Sequence, residues 1–256
     1  MQKHPLTILT GASRGLGLAM AELLVDAGHR LLCLSRHANA QLQERAERRG
    51  TQLEQWTLDL ALGSEAAERL ERWLARLDAK QMSSATLVNN AAALARVGPL
   101  SGADNLDLAR ALRVGLEAPM MLSAAFRRAT EVWPADAGVE RKVLNISSGL
   151  GRRPMASQAA YCAIKAGMDH FTRCAALDEA LKPHGAKLCS LAPGVIDTDM
   201  QVALRSAPAD RFPDRAAFIG MKERGLLSQP ADAAQTVLAY LARPDFGANP
   251  VADIRG

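Results

Sequence analysis

Aromatic side chains are scarce in this 256-residue chain, with five Phe, three Trp and two Tyr making up 4% of it. Lys and Arg are scattered among acids instead of gathered into blocks. Without a stacking platform or a basic stripe, nucleic-acid binding is not expected despite the formal charge of +4. Charges such as Glu44, Arg45, Glu47, Arg48 and Arg49 recur at helical spacing and read as a solvated helix face. The four cysteines, Cys33, Cys162, Cys174 and Cys189, have neither Cys-x-x-Cys spacing nor a companion His pair. A zinc site or disulfide framework therefore has no pattern to rest on, and reduced thiols are expected. No uninterrupted apolar run reaches the length of a membrane span, and the first five residues lead into a strand-like segment without the apolar region of a secretory signal. The expectation is a soluble, cytoplasmic protein that acts on a small molecule, with no membrane or nucleic-acid partner.

What is present is a regular alternation. Leu6 to Thr10, Arg30 to Leu34, Gln52 to Leu58, Ala85 to Asn89, Lys142 to Ser147, Ala186 to Leu191 and Pro250 to Ile254 read as short strands, with helical periodicity between them. Strands that are apolar throughout and separated by helices imply a parallel sheet covered on both faces, hence a single doubly wound α/β domain over 1–256. With neither an internal repeat nor a low-complexity linker, nothing divides it. One stretch breaks the rhythm. From Asp197 to Ser228 the chain carries charges, Pro208, Pro213, Gly220 and Gly225 with weak helical pattern, and 199–228 reads as a substrate-binding lid. Gln229-Pro230-Ala231-Asp232 then starts a helix running through Ala233 to Ala242.

The first strand ends in Thr10-Gly11-Ala12-Ser13-Arg14-Gly15-Leu16-Gly17, followed by a helix over Leu18 to Ala27 and a Gly28 cap. Glycines let a backbone approach a pyrophosphate, and exposed amides at a helix N-terminus favour its negative charge. The second strand ends in Leu34-Ser35-Arg36, without the acidic residue that would bond the ribose hydroxyls of NAD. Arg36 and Arg14 offer two guanidinium forks suited to a 2′-phosphate, which points to NADP(H). Either arginine alone is more often a surface charge.

The spacing Gly-x-x-x-Gly-x-Gly after Thr10 resembles the glycine motif of the short-chain dehydrogenase/reductase family, and other family positions follow in order along almost the whole chain. The resemblance implies a Rossmann-type fold and a dinucleotide held by the loop residues Gly11, Ser13, Arg14, Gly15, Leu16 and Gly17. It assigns the adenosine end to Ser35, Arg36, Asp59 and Leu60. Alone, Asp59 would equally be a turn or helix cap. Leu87-Val88-Asn89-Asn90-Ala91-Ala92 is similar to the family's Asn-Asn-Ala-Gly, with Ala92 in place of glycine. Here Asn89 would stabilise the sheet, and Asn90 and Ala91 would lie by the cofactor. Pro193-Gly194-Val195-Ile196-Asp197-Thr198 resembles the family's Pro-Gly loop, so Pro193, Gly194, Ile196 and Thr198 would line the nicotinamide end.

The chemistry centres on Tyr161-Cys162-Ala163-Ile164-Lys165. Four apart on a helix, Tyr161 and Lys165 share a face, where an ammonium can lower a phenol's pKa from its usual value of about 10. Tyr161 is then the expected general acid in carbonyl reduction, and Lys165 also binds the nicotinamide ribose by resemblance. Ser148, in Asn145-Ile146-Ser147-Ser148, is the family's serine, a fixed donor for the substrate oxygen; Ser147 should point elsewhere by strand alternation. The five histidines fall in no matching motif, so a Ser-His-Asp hydrolase is set aside. One position departs: Gly115 stands where the family usually has an asparagine that anchors a water in a proton relay to the lysine. A bend or a water at that mid-helix glycine is one consequence.

From about Leu116 onward the chain is most similar to the family members that include sepiapterin reductase and bacterial benzil reductases, which implies reduction of vicinal dicarbonyl compounds. Met155, Met200 and Asp253 are candidates for the substrate pocket, although methionines are more often packing and Asp253 more often structural than pterin-binding. The alternatives are a reductase of 3-oxoacyl or other ketones, and an NADPH-binding sensor or scaffold of low turnover, which the Ala92 and Gly115 departures would suit. By resemblance, a homodimer or homotetramer is expected to pair through helices over roughly Asp104 to Thr130 and Ala156 to Leu181.

Overall fold

A computed structural model describes residues 3–255; Met1, Gln2 and Gly256, which the single-domain reading included, lie outside the described residues. The first half of the chain alternates β1 (His4–Thr10), α1 (Gly15–Asp26), β2 (Arg30–Ser35), α2 (Ala40–Arg49), β3 (Leu53–Thr57), α3 (Gly63–Leu74) and β4 (Met82–Asn89). Then follow α4 (Asn105–Leu112), α5 (Ala118–Glu131), β5 (Glu140–Ile146), α6 (Ala159–Ala180) and β6 (Lys187–Ala192). The last elements are α7 (Asp199–Arg205), α8 (Arg215–Glu223), α9 (Pro230–Leu241) and β7 (Val251–Asp253).

All seven strands form one parallel sheet in the order β3-β2-β1-β4-β5-β6-β7. The apolar runs explain why. In β1, Leu6, Ile8 and Leu9 are fully buried, and Ile8 lies level with Leu32 on one side and Leu87 on the other. Both faces are covered: α3, α5 and α6 contribute Leu70, Leu122, Phe126 and Ala175 to one core. On the other face α1, α2 and α9 contribute Met20, Leu24, Leu42 and Val237. This is the doubly wound Rossmann-type architecture that the alternation implied. Strand order reverses between β1 and β4, so Thr10 and Asn89 end the two strands flanking a crevice suited to a ligand.

Two segments differ from the sequence expectation. The helix expected over Asp104 to Thr130 is divided by a π-helical turn at Arg113–Glu117, which contains Gly115. The segment 199–228 is more regular than its composition suggested, since it holds α7 and α8. Its order comes from packing that is remote in sequence: Leu204, Phe212 and Phe218 bury against Val97, and the two phenyl rings lie 5.4 Å apart. Its base is tied by Ser228 N donating to Val195 O and Asp197 N donating to Ser228 O, both at 2.9 Å.

Candidate active site

The carboxyl ends of the strands open into a cavity of about 1300 Å³. Every candidate from the sequence lines it: the glycine loop, Ser35 and Arg36, Asp59 and Leu60, Asn90 and Ala91, Ser148, Tyr161 and Lys165, and the Pro193–Thr198 loop. Met155, Met200 and Asp253 border it as well.

The glycine loop is built by close approach. An added Cβ on Gly17 would sit 2.1 Å from Gly11 O and 2.5 Å from Asn90 Nδ2, so only glycine lets α1 start this near the turn. Gly11 (φ 72°) and Gly15 (φ 56°) occupy the left-handed region. The loop is held from both sides. Ala12 N donates to Ser35 Oγ at 2.9 Å, and Asn90 Nδ2 donates to Thr10 O and Gly11 O at 3.0 and 3.2 Å. Thr10 Oγ1 accepts from the amides of Asn90 and Ala91. Ser35 and Asn90 therefore shape the cradle itself. The N-terminus of α1 has no side-chain cap and no acidic residue in its first turn, which leaves its amides directed at the cavity. This cradle fits a dinucleotide pyrophosphate.

The two arginines stand differently. Arg14 Nη1 pairs with Asp199 Oδ2 at 2.6 Å, joining the glycine loop to the first residue of α7. Arg36 is exposed at the end of β2 and has no carboxylate partner among the described residues. Asp59 accepts from Ala61 N and from Arg110 Nη2, each at 3.0 Å, so it caps a turn while bordering the cavity.

Ser148, Tyr161 and Lys165 converge from the end of β5 and the first two turns of α6. Ser148 Oγ accepts from Leu150 N at 3.2 Å. Burial pushes the Tyr161 phenol above the ordinary tyrosine value, and the Ser148 hydroxyl opposes this. The expectation that Lys165 lowers the phenol is corrected: its Nζ lies 5.7 Å from the ring centroid and donates to Ile146 O at 2.6 Å, so desolvation dominates. Burial also brings Lys165 down to about 8, with Asp169 opposing that fall.

Lys165 thereby couples pH to stability. Between pH 8 and its ordinary value the unfolded chain holds a proton that the folded chain has released, so stability rises with pH across this window. Below it, the buried ammonium costs on the order of 3 kcal/mol. Lys165→Met is expected to unfold at higher denaturant concentration than the wild type near pH 7, the advantage shrinking as pH approaches 10. An equal advantage at both pH values would contradict this.

Six residues not singled out from the sequence complete the site. Asp169, one turn beyond Lys165, is buried and accepts from Ser147 Oγ at 2.5 Å and Ser190 Oγ at 2.7 Å. Arg152 bridges Asp169 (3.4 Å) and Asp253 (3.2 Å). Asp253 also receives both arms of Arg255, which helps hold its carboxyl down at about 2. Its oxygens are engaged by these arginines. Ile164 closes over Gly115, its Cγ2 2.7 Å from where a Cβ would stand, so an apolar side chain fills that volume. Gln158 and Gln201 are buried cavity-lining amides, each with one atom lacking a hydrogen-bond partner. An i+4 spacing could have pointed to Asp169; nothing local marks Gln158.

The profile of the family described as short chain dehydrogenase matches residues 6–209. The chain is 33% identical to a benzil reductase ((S)-benzoin forming) of Bacillus cereus over 239 residues, covering 93% of this chain and 94% of that one. It is 30% identical to the sepiapterin reductase of Mus musculus over 249 residues, covering 93% and 92%. A short-chain oxidoreductase from a metagenome, solved in complex with NADP, superposes with a TM-score of 0.68 at 27% identity over 94% of this chain and 91% of that one. A 3-oxoacyl-[acyl-carrier protein] reductase from Brucella melitensis, solved with NAD, has the same fold, with a TM-score of 0.80 at 21% identity over 99% and 96% of the two chains. Among the described residues no helix is long and apolar enough to cross a membrane.

Proposed function

This chain belongs to the short-chain dehydrogenase/reductase family, an oxidoreductase of carbonyl and alcohol groups that uses a nicotinamide cofactor, and from that premise we propose an NADPH-dependent reductase of vicinal dicarbonyl compounds. The observation carrying this reading is that Ser148, Tyr161 and Lys165 line the same cavity as the glycine cradle and Arg36. The bound dinucleotide supplies hydride. Ser148 holds the substrate oxygen and Tyr161 protonates it as negative charge develops there. A phenol raised by burial is protonated at neutral pH, which suits reduction over the reverse reaction. Lys165, titrating near 8, is anchored to Ile146 O and places a positive charge beside the phenol in the working range. Asp169, fixed by Ser147 and Ser190, favours the protonated lysine.

The dicarbonyl assignment is supported by the likeness to a benzil reductase. Arg36 supports NADPH through its freedom to meet a 2′-phosphate. The rest of the reading places a substrate lid at 199–228, whose Met200 faces the cavity with Met155. It also includes association as a homodimer or homotetramer through α4, α5 and α6, where Leu106, Leu177 and Leu181 are exposed.

A second reading has one specific observation behind it. Ile164 occupies the volume beside Gly115, so the side-chain anchor of the family's relay is replaced by an apolar group, as a low-turnover NADPH sensor would tolerate. NADPH consumption with a 1,2-diketone, a 3-oxo ester and a simple ketone separates the readings. The fastest turnover is expected on the diketone. Tight NADPH binding with no turnover of any carbonyl would favour the sensor.

A further inference from the structure

Arg14 stands between two parts of the molecule that compete for its charge. On one side the glycine loop is bonded to the end of β2: Gly11 N donates to Leu34 O at 2.8 Å, and Ala12 N donates to Ser35 Oγ at 2.9 Å. Arg36 follows directly on that strand end, so the two arginines border the cavity from adjoining segments. On the other side α7 begins against the same loop. Thr198 Cγ2 lies 3.5 Å from where a Cβ on Gly15 would stand, and Asp199 Oδ2 accepts from Arg14 Nη1 at 2.6 Å. Among the described residues Asp199 is the one carboxylate paired with Arg14. Both side chains border the cavity and are 68% and 69% exposed. An ion pair so well hydrated is weak, whereas a phosphate takes strong charge-assisted hydrogen bonds from a guanidinium fork. An arriving phosphate can therefore break this pair.

We propose that Asp199 is a cofactor-specificity residue that competes with the 2′-phosphate of NADPH for Arg14 and so limits how tightly the phosphorylated dinucleotide is held. The assignment rests on the NADPH reading and adds to it a group that works against affinity. Arg36 gives the phosphate its first contact, and Arg14 joins only by leaving Asp199. NADH has no group that draws Arg14 away, so its binding leaves the pair intact. When the oxidised dinucleotide departs, the carboxylate takes Arg14 back, which favours release. Asp199 also lies in the first turn of α7, where an acid suits the helix dipole. That role alone would alter stability and not the ratio of two cofactor affinities.

The test measures dissociation constants for NADPH, NADH and adenosine 2′,5′-bisphosphate by calorimetry. Wild type is compared with Asp199→Ala, Asp199→Asn, Arg14→Gln and the double variant Arg14→Gln/Asp199→Ala. Both positions are well exposed, so these variants are expected to fold. Asp199→Ala is expected to tighten NADPH and the bisphosphate about three- to tenfold and to change NADH by less than about twofold. Asp199→Asn should fall between, because an amide oxygen still accepts from Arg14. In the Arg14→Gln background the Ala substitution is expected to change NADPH by less than about twofold, as when one residue acts through the other. Equal tightening of NADPH and NADH, or equal tightening with and without Arg14, would make Asp199 a general repulsive charge and overturn the assignment. Unchanged or weaker NADPH binding in Asp199→Ala would overturn it too. Should wild type hold NADH as tightly as NADPH, the cofactor reading fails while the bisphosphate still decides the role of Asp199. Tighter bisphosphate binding to Asp199→Ala upholds it, and no change or no binding refutes it.

Discussion

Tyr161→Phe is expected to lower kcat for carbonyl reduction by about 10²–10⁴-fold while leaving NADPH affinity within about threefold. The substitution removes one oxygen from a helix position whose neighbours are otherwise unchanged, so folding should survive. The large effect follows from the inventory of proton donors. Ser148 already accepts from Leu150 N and is far too weak an acid, and Lys165 is directed at Ile146 O, 5.7 Å from the Tyr161 ring centroid. Once the phenol is gone, no group with a suitable pKa borders the substrate oxygen. Steady-state kinetics with cofactor titration, read as separate kcat and affinity terms, checks this. Retention of full kcat would assign the proton to another group.

Arg36→Ala is expected to weaken NADPH binding about 30- to 100-fold and NADH binding by less than threefold. The magnitude is that of losing charge-assisted hydrogen bonds to a phosphate, about 2–3 kcal/mol. In the proposed reading Arg36 bears more of this task than the sequence implied, because Arg14 is already held by Asp199 at 2.6 Å. That pair is well exposed and so contributes little to stability, but it directs the Arg14 fork toward α7. Fluorescence titration with both dinucleotides measures the ratio. Equal losses would remove the 2′-phosphate from Arg36.

The parts of the fold that were legible in the sequence are those fixed by local pattern. Leu6 to Thr10 announces a buried strand by composition, and Gly11, Gly15 and Gly17 announce a cradle because only glycine tolerates that approach. Tyr161 and Lys165 announce a shared face by spacing alone. What was not legible depends on residues that meet only after folding. α7 and α8 form because Phe212 and Phe218 bury against Val97, more than a hundred positions earlier, so their periodicity was weak in isolation. The fate of Gly115 was decided by Ile164, from a different helix. The pKa of Tyr161 was misjudged for the same reason: spacing indicates a neighbouring ammonium, whereas burial, a property of the whole structure, dominates.

The arrangement accounts for a reductase with few charged groups on its reacting atoms. In the proposed mechanism Ser148 and Tyr161 address the oxygen, Lys165 is tuned by burial, and the outer ring of Asp169, Arg152 and Asp253 fixes positions around them. The most direct test of the central claim uses NADPH carrying deuterium at both nicotinamide C4 positions, incubated with purified protein and benzil. The account predicts hydroxyketone formed in step with NADPH consumed, with the label on the carbinol carbon. Cofactor binding without labelled hydroxyketone would contradict it.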